Sequence, residues 1–301
     1  MVFPLESVPN FSVARDTAAL EALRAALASP ARLLDVHVDL DHNRSVFTLV
    51  GSEEELVETL LAGIRVAVER IDLGAHEGVH PRIGAADVVP IVPMRPEDEG
   101  RARAAALALA ARIPAELDVP VFLYGLLTAD GRGPAFFRRG GPEELQRRID
   151  AGELSPDRGP RRLHPTAGAV LVGVRKPLVA FNVNLRSRDL GLAKEIARAI
   201  RERDGGLPGV RALGLDLPRA GLVQVSMNLE DWERTAPHEV VERIEAEAAA
   251  RGVEVAGSEL IGLMPAGAVA AAAGRKLLLP GFDAGRLLEL RLLEDPGAKA
   301  R

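Results

Sequence analysis

The chain has 301 residues, a formal net charge of -5, 47% hydrophobic and 27% charged residues, and no cysteine. That length accommodates two ordinary domains in a globular balance, while the acidic excess argues against general nucleic-acid binding. Disulfides and thiolate metal sites are excluded. No basic segment with an apolar core opens the chain, and the apolar windows 104–111 and 267–273 are too short for a bilayer. A cytoplasmic protein without a membrane partner is expected.

Residues 3–11 alternate in polarity and end in Pro9-Asn10-Phe11-Ser12, a strand running into a turn. Asp16 is placed to cap a helix with Leu20, Leu23, Ala26 and Leu27 on one face. Residues 31–39 and 44–50 read as strands joined by the polar 40–43 connection, and Ser52 with Glu55 forms a capping box for the next helix. Residues 88–92 are β-branched but contain Pro90, which predicts an edge strand at most. An alanine-rich helix is expected from Pro96 to about Ala111, then a strand over 119–124. Residues 126–165 look irregular, with one helix around 142–149; so long a loop suggests function or mobility.

From Leu178 the order repeats: strand 178–185, helix 189–203, strands 210–216 and 222–229 around a Pro218/Gly221 turn, helix 237–251 and strand 253–263. The succession strand, helix, strand, strand, helix, strand thus occurs twice, the split βαβ pattern of ferredoxin-like domains. Pro9-Asn10-Phe11 and Asn182-Val183-Asn184 close corresponding strands. The expected fold class is α/β (α+β), with two similar βαββαβ ferredoxin-like subdomains, residues 1–176 and 177–301, packed around a ligand cleft.

Four of the six histidines lie between residues 37 and 80. In a strand, Asp35, His37 and Asp39 share one face, which must be wet or meet cations. His76-Glu77-Gly78-Val79-His80 matches the H-E-x-x-H zinc pattern, but that chemistry needs a helix. Gly78 and the following Pro81 disfavour one. The alternative is metal-free: His80 as a general acid–base on a rigid loop, with Arg82 clamping a carboxylate. The structural reading is that His80 bonds its own loop and Arg82 pairs with Asp87.

The segments 8–12, Asp41-His42-Asn43-Arg44-Ser45-Val46, His80-Pro81-Arg82-Ile83-Gly84-Ala85, Val121-Phe122-Leu123-Tyr124-Gly125, 175–185 and Gln224-Val225-Ser226-Met227-Asn228-Leu229 resemble the glutamate formimidoyltransferase family, in order from about residue 5 to 265. The resemblance implies transfer of a formimino group from N-formimino-L-glutamate to tetrahydrofolate, giving L-glutamate and 5-formiminotetrahydrofolate in histidine degradation. It implies tetrahydrofolate as co-substrate, no metal, folate in a cleft between two α/β subdomains, and a homodimer. A fused cyclodeaminase domain is not expected.

The family's catalytic histidine falls on His80, and its folate loop on Gly159-Pro160-Arg161-Arg162-Leu163-His164-Pro165-Thr166-Ala167-Gly168. Asn10, His37, Asp39, Asn43, Arg44, Arg82, Tyr124, Gly125, Asn182 and Asn184 complete the expected binding residues, with Arg161 a further carboxylate partner. Departures cluster here. Family members usually carry an acid at the position of His37. They often read H-K-G-E-H-P-R where this chain has Glu77 and Val79, a glutamate at Leu126, and S-E-G at Ser12-Val13-Ala14. These leave three readings: the usual transfer, a folate-binding protein or transferase of the same fold with an altered donor, and a zinc hydrolase on His76 and His80.

Overall fold

The computed structural model describes residues 3–78, 80–277, 279 and 282–287, and divides into two units, Met1–Pro177 and Leu178–Arg301. In the first unit, short strands β1 (Leu5–Ser7) and β2 (Asn10–Phe11) are interrupted at Val8-Pro9. Helix α1 (Thr17–Ala26) starts at Asp16, whose carboxylate accepts the Ala19 N–H. Strands β3 (Arg32–Asp39) and β4 (Arg44–Gly51) form an antiparallel hairpin. Helix α2 (Glu53–Arg70) carries the expected Ser52/Glu55 capping box. There follow β5 (Ala86–Val92), α3 (Glu99–Leu117), β6 (Val121–Gly125), α4 (Pro134–Arg138), α5 (Gly141–Asp150) and β7 (Val170–Val174).

These strands make one seven-stranded sheet. β3 pairs with β4, β4 with β1 and β2, and these with β5, all antiparallel. β5, β7 and β6 then continue it in parallel. Strand β5 is therefore central and buried along its whole length, not an edge. Pro90 is tolerated because its carbonyl accepts the Ser7 hydroxyl at 2.7 Å. Backbone N–H and C=O of one strand residue point the same way, so the missing N–H faces the break between β1 and β2. Two further expectations need correction. Val170–Val174 is a full strand that sequence reading passed over, and the stretch 126–165 holds two helices rather than one.

Apolar residues of α1, α2 and α3 pack on one sheet face around Phe11, Phe47, Leu49, Val89 and Ile91. Ile83, Phe122, Tyr124, Phe137, Leu145 and Leu171 form a second cluster, which brings α4 and α5 over the other face at its β5-β7-β6 end. Val36 and Val38 pack toward the first cluster, so Asp35, His37 and Asp39 share the opposite face, as expected.

The second unit runs β8 (Val179–Leu185), α6 (Leu190–Ile200), β9 (Val210–Leu217), β10 (Leu222–Leu229), α7 (Pro237–Ala249), β11 (Val255–Ile261) and α8 (Ala266–Lys276). Its antiparallel sheet has the order β11-β8-β10-β9. Val183, Ile196, Val225 and Ile244 lie in its own core. The strand–helix–strand–strand–helix–strand order thus occurs in this unit and in β1/β2 to β5 of the first. Helix α8 is an element the sequence reading did not anticipate. No helix among the described residues is long and apolar enough to cross a membrane.

Candidate active site

The site is built on the tip of the β3–β4 hairpin. Asp39 accepts the His42 backbone N–H at 2.9 Å and lies 2.6 Å from His42 Nδ1. Asn43 adopts a left-handed conformation, φ 45°, which asparagine tolerates better than most residues. Its side chain ties three segments together. Oδ1 accepts the N–H groups of Ala14 and Arg15 at 2.9 and 3.2 Å, and Nδ2 donates to the Glu77 carbonyl at 3.0 Å.

The segment leading to β5 lies against this tip. His80 Nδ1 is 2.8 Å from the Pro81 carbonyl, which only accepts, so the ring carries its proton at Nδ1. Nε2 is left as the acceptor and meets Arg44 Nη1 at 2.9 Å. Burial pushes the His80 pKa well below the usual histidine range, helped by the positive charges of Arg44 and Arg138 and by His42. The imidazole is therefore neutral at pH 7, with its Nε2 lone pair unprotonated. Arg44 itself is pushed down to about 10 by burial and by Arg138.

Arg82 does not pair with Asp87. Its guanidinium donates to the backbone carbonyls of His80 at 2.9 and 3.1 Å, His42 at 2.9 Å and Asn43 at 3.3 Å, and lies 2.9 Å from His76 Nδ1. Asp87 instead accepts the Ile83 N–H at 2.8 Å and is paired with Arg138 of α4. Sequence reasoning missed Arg138. It sits in the Gly-, Pro- and Arg-rich stretch that gave no periodic signal.

The H-E-x-x-H reading lacks its helix. His76 has extended backbone, φ -88° and ψ 127°, after a single 3-10 turn over Leu73–Ala75. Its ring and that of His80 each face a guanidinium, a poor setting for a second cation. Val79 lies outside the described residues.

The loop 159–168 reaches the His80 segment through its last residues. Ala85 donates to the Ala167 carbonyl at 2.9 Å, Ala169 to Ile83 at 3.0 Å, and Leu73 to Thr166 at 2.9 Å. His164 Nδ1 accepts the Ala167 N–H at 3.0 Å, and His164 and Gly168 exchange two backbone hydrogen bonds. Gly168 (φ 68°) packs so closely that a Cβ would strike the Ile83 carbonyl. The first half of the loop turns elsewhere. Gly159 packs on Pro114, while Arg161 donates to Ser155 at 2.8 Å and Arg162 to Asp118 at 3.2 Å. Pro160 and Pro165 flank these turns, and the Leu163 N–H donates to Gln146.

Tyr124, whose hydroxyl is buried without a hydrogen-bond partner among the described residues, has its pKa raised by that burial. Gly125 (φ 65°) ends β6. Asn10 Nδ2 bonds back to the Val8 carbonyl at 2.9 Å. In the second unit, Asn182 Nδ2 meets Glu259 at 3.3 Å and Asn184 Oδ1 accepts Gln224 Nε2 at 2.9 Å. Both asparagines lie on the β8 face opposite Val183 and the helices.

A neutral, tautomerically fixed imidazole held among guanidinium groups is the equipment of an enzyme that moves protons around an anionic substrate. The chain belongs to the formiminotransferase family and is a transferase. Residues 4–175 match the family model for the formiminotransferase domain, N-terminal subdomain, and residues 180–276 that for the formiminotransferase domain. The chain is 40% identical over 294 residues to a glutamate formimidoyltransferase of Thermoplasma acidophilum, covering 96% of this chain and 97% of that one. Its identity to the Streptococcus pyogenes glutamate formimidoyltransferase is 39%, with 96% and 98% covered. The formimidoyltransferase-cyclodeaminase of Sus scrofa is 39% identical over 271 residues, 87% of this chain and 50% of its own.

Proposed function

We propose that the chain is a glutamate formimidoyltransferase, moving the formimino group from N-formimino-L-glutamate to N5 of tetrahydrofolate, with His80 as general acid–base. One observation carries the catalytic assignment: the Nδ1–H bond to the Pro81 carbonyl leaves Nε2 as a neutral acceptor. As N5 attacks the formimino carbon, Nε2 takes the N5 proton. The tetrahedral intermediate then expels the glutamate nitrogen, which receives that proton back. Arg44 releases its hydrogen bond to Nε2 when substrate arrives, freeing its guanidinium for a substrate carboxylate. Arg82, with its donors spent on carbonyl oxygens, holds the loop rather than the ligand.

The finer reading belongs to the same proposal. The antiparallel order β5, β1/β2, β4, β3 in the first unit and β11, β8, β10, β9 in the second supports two ferredoxin-like halves. A folate cleft between them, contacts from residues 159–168, Asn182 and Asn184, a homodimer and a cytoplasmic location are family expectations. The reaction needs no metal.

The test is transfer from formiminoglutamate to tetrahydrofolate, followed as 5-formiminotetrahydrofolate, for the unaltered chain and His80→Ala, each with and without chelator. Chelator-resistant turnover that falls about 10²–10⁴-fold on substitution is expected. Full turnover by folded His80→Ala would remove the assignment. Folate binding without turnover of this donor in the unaltered chain would favour an altered donor, the reading that His37 and Leu126 motivate.

A further inference from the structure

The mechanism above makes no use of His42. The hairpin tip buries this residue, leaving it 3% exposed. Asp39 lies 2.6 Å from its Nδ1 and accepts its backbone N–H as well. With Nδ1–H given to the carboxylate, Nε2 is the atom at which the ring gains or loses a proton. That atom is buried without a hydrogen-bond partner among the described residues. A buried, unpartnered ring nitrogen is costly, and its presence asks for a chemical explanation. The nearest chemistry is His80: the two rings meet edge to face, with centroids 5.7 Å apart and planes at 63°.

The reaction supplies the explanation. Between its two proton transfers, His80 must exist as an imidazolium, in surroundings where burial, Arg44 and Arg138 all oppose the charge. The charged groups around the pair are Asp39 from β3, Arg44 from β4, Arg82 of the loop, Asp87 from β5 and Arg138 from α4. Arg138 is already matched by Asp87, and Arg82 grips backbone. Asp39 is the carboxylate hydrogen-bonded to an imidazole, and that imidazole is His42.

We propose that His42, backed by Asp39, is the proton store for His80 during transfer. The N5 proton passes to His80 Nε2 as the N5–C bond forms. It moves on to His42 Nε2, where the Asp39 carboxylate balances the charge. It returns through His80 to the glutamate nitrogen as the C–N bond breaks. No proton is gained or lost overall. His42 acts through His80 and is a positioning residue for the proton, not a group that touches substrate. The inference rests on the formimino-transfer reading.

The experiment compares the unaltered chain with His42→Gln and Asp39→Asn in the transfer assay across pH, together with ¹⁵N-histidine NMR titration of the unaltered chain. Expected is a fall in kcat of about 10²-fold with KM little changed. In His42→Gln the acid limb of kcat/KM also moves toward higher pH, because the repulsion that His42 adds to a charged His80 is gone. Asp39→Asn, which keeps a hydrogen-bond acceptor for the ring, lowers kcat in the same way. Full kcat with an unmoved acid limb in folded His42→Gln would overturn the proposal. Should that variant fail to fold, the NMR titration decides: two-step, mutually dependent curves for His42 and His80 support the store, and independent single-step curves overturn it. Absence of transfer in the unaltered chain would instead remove formiminoglutamate as the donor, and the NMR curves would still judge the imidazole pair.

Discussion

His80 shows how one residue's surroundings set its chemistry. Burial and two neighbouring guanidinium groups disfavour its charged form, so it remains a base below the pH at which an exposed histidine protonates. The acid limb of kcat/KM is expected clearly below pH 6.5, and a limb at or above that value would contradict the geometry. The same shift makes a stability prediction. In the unfolded chain the ring protonates near its ordinary value of 6.5, while in the folded chain it stays neutral to lower pH. Stability is therefore unaffected above pH 6.5 and falls as pH drops from there toward the folded pKa. The slope is up to about 1.4 kcal/mol per pH unit for this group. Thermal melts of the unaltered chain and His80→Asn from pH 7.5 to 5 should diverge in slope, the variant being flatter. Arg82 makes a complementary case. Its flat fork reaches carbonyls of His42, Asn43 and His80 together, a pattern a lysine ammonium does not reproduce. Arg82→Lys is expected to lower kcat and stability nearly as much as Arg82→Ala, by about 2 kcal/mol in unfolding free energy; rescue by lysine in a denaturant titration would show that charge alone matters.

At the level of elements, the parts legible in sequence were those whose signals are local. The Asp16 and Ser52 caps, the β3–β4 hairpin and the shared face of Asp35, His37 and Asp39 follow from short-range hydrogen bonding and a two-residue period. What was not legible depends on partners far along the chain. Pro90 reads as an edge residue until one sees that its missing N–H faces a break in the neighbouring strands. Val170–Val174 is a buried parallel strand without alternation, hidden behind a Gly- and Pro-rich loop. Arg138 joins the site only because α4 folds back over β5, whereas His80 and Arg44 stand inside recognisable motifs. The docking of residues 163–168 onto 83–85 yields a prediction of its own. Gly168 combines φ 68° with contact against the Ile83 carbonyl. Gly168→Ala is expected to cost about 1–3 kcal/mol in chemical denaturation, because both strain and collision oppose it. Pro90→Ala is expected to cost about 1–3 kcal/mol, since the restored N–H is buried and no acceptor awaits it; an unchanged stability would refute the account of β5.

On the scale of the whole chain, each of the two sheets has its own apolar packing, two clusters in the first unit and one in the second. Among the described residues, the first unit's clusters and the second unit's cluster share none. Each unit therefore holds the apolar contacts a cooperative fold requires. A fragment of residues 178–287 is expected to unfold in a single cooperative transition by circular dichroism while transferring no formimino group; a featureless melt would show that this core does not suffice.

The grip of Asn43 and Arg82 has one more consequence. Between them they seize carbonyl oxygens of His42, Asn43, Glu77 and His80, and every amino acid carries a carbonyl. Apart from the His76 ring, the loop is thus fastened by what all residues have in common, not by what distinguishes them. A chain built this way can be re-lettered at position 77, where glutamate stands in place of the family's lysine, without unfastening the turn that presents His80. Selection, or a designed library, can vary that position toward new donors while the His80 imidazole stays where it is.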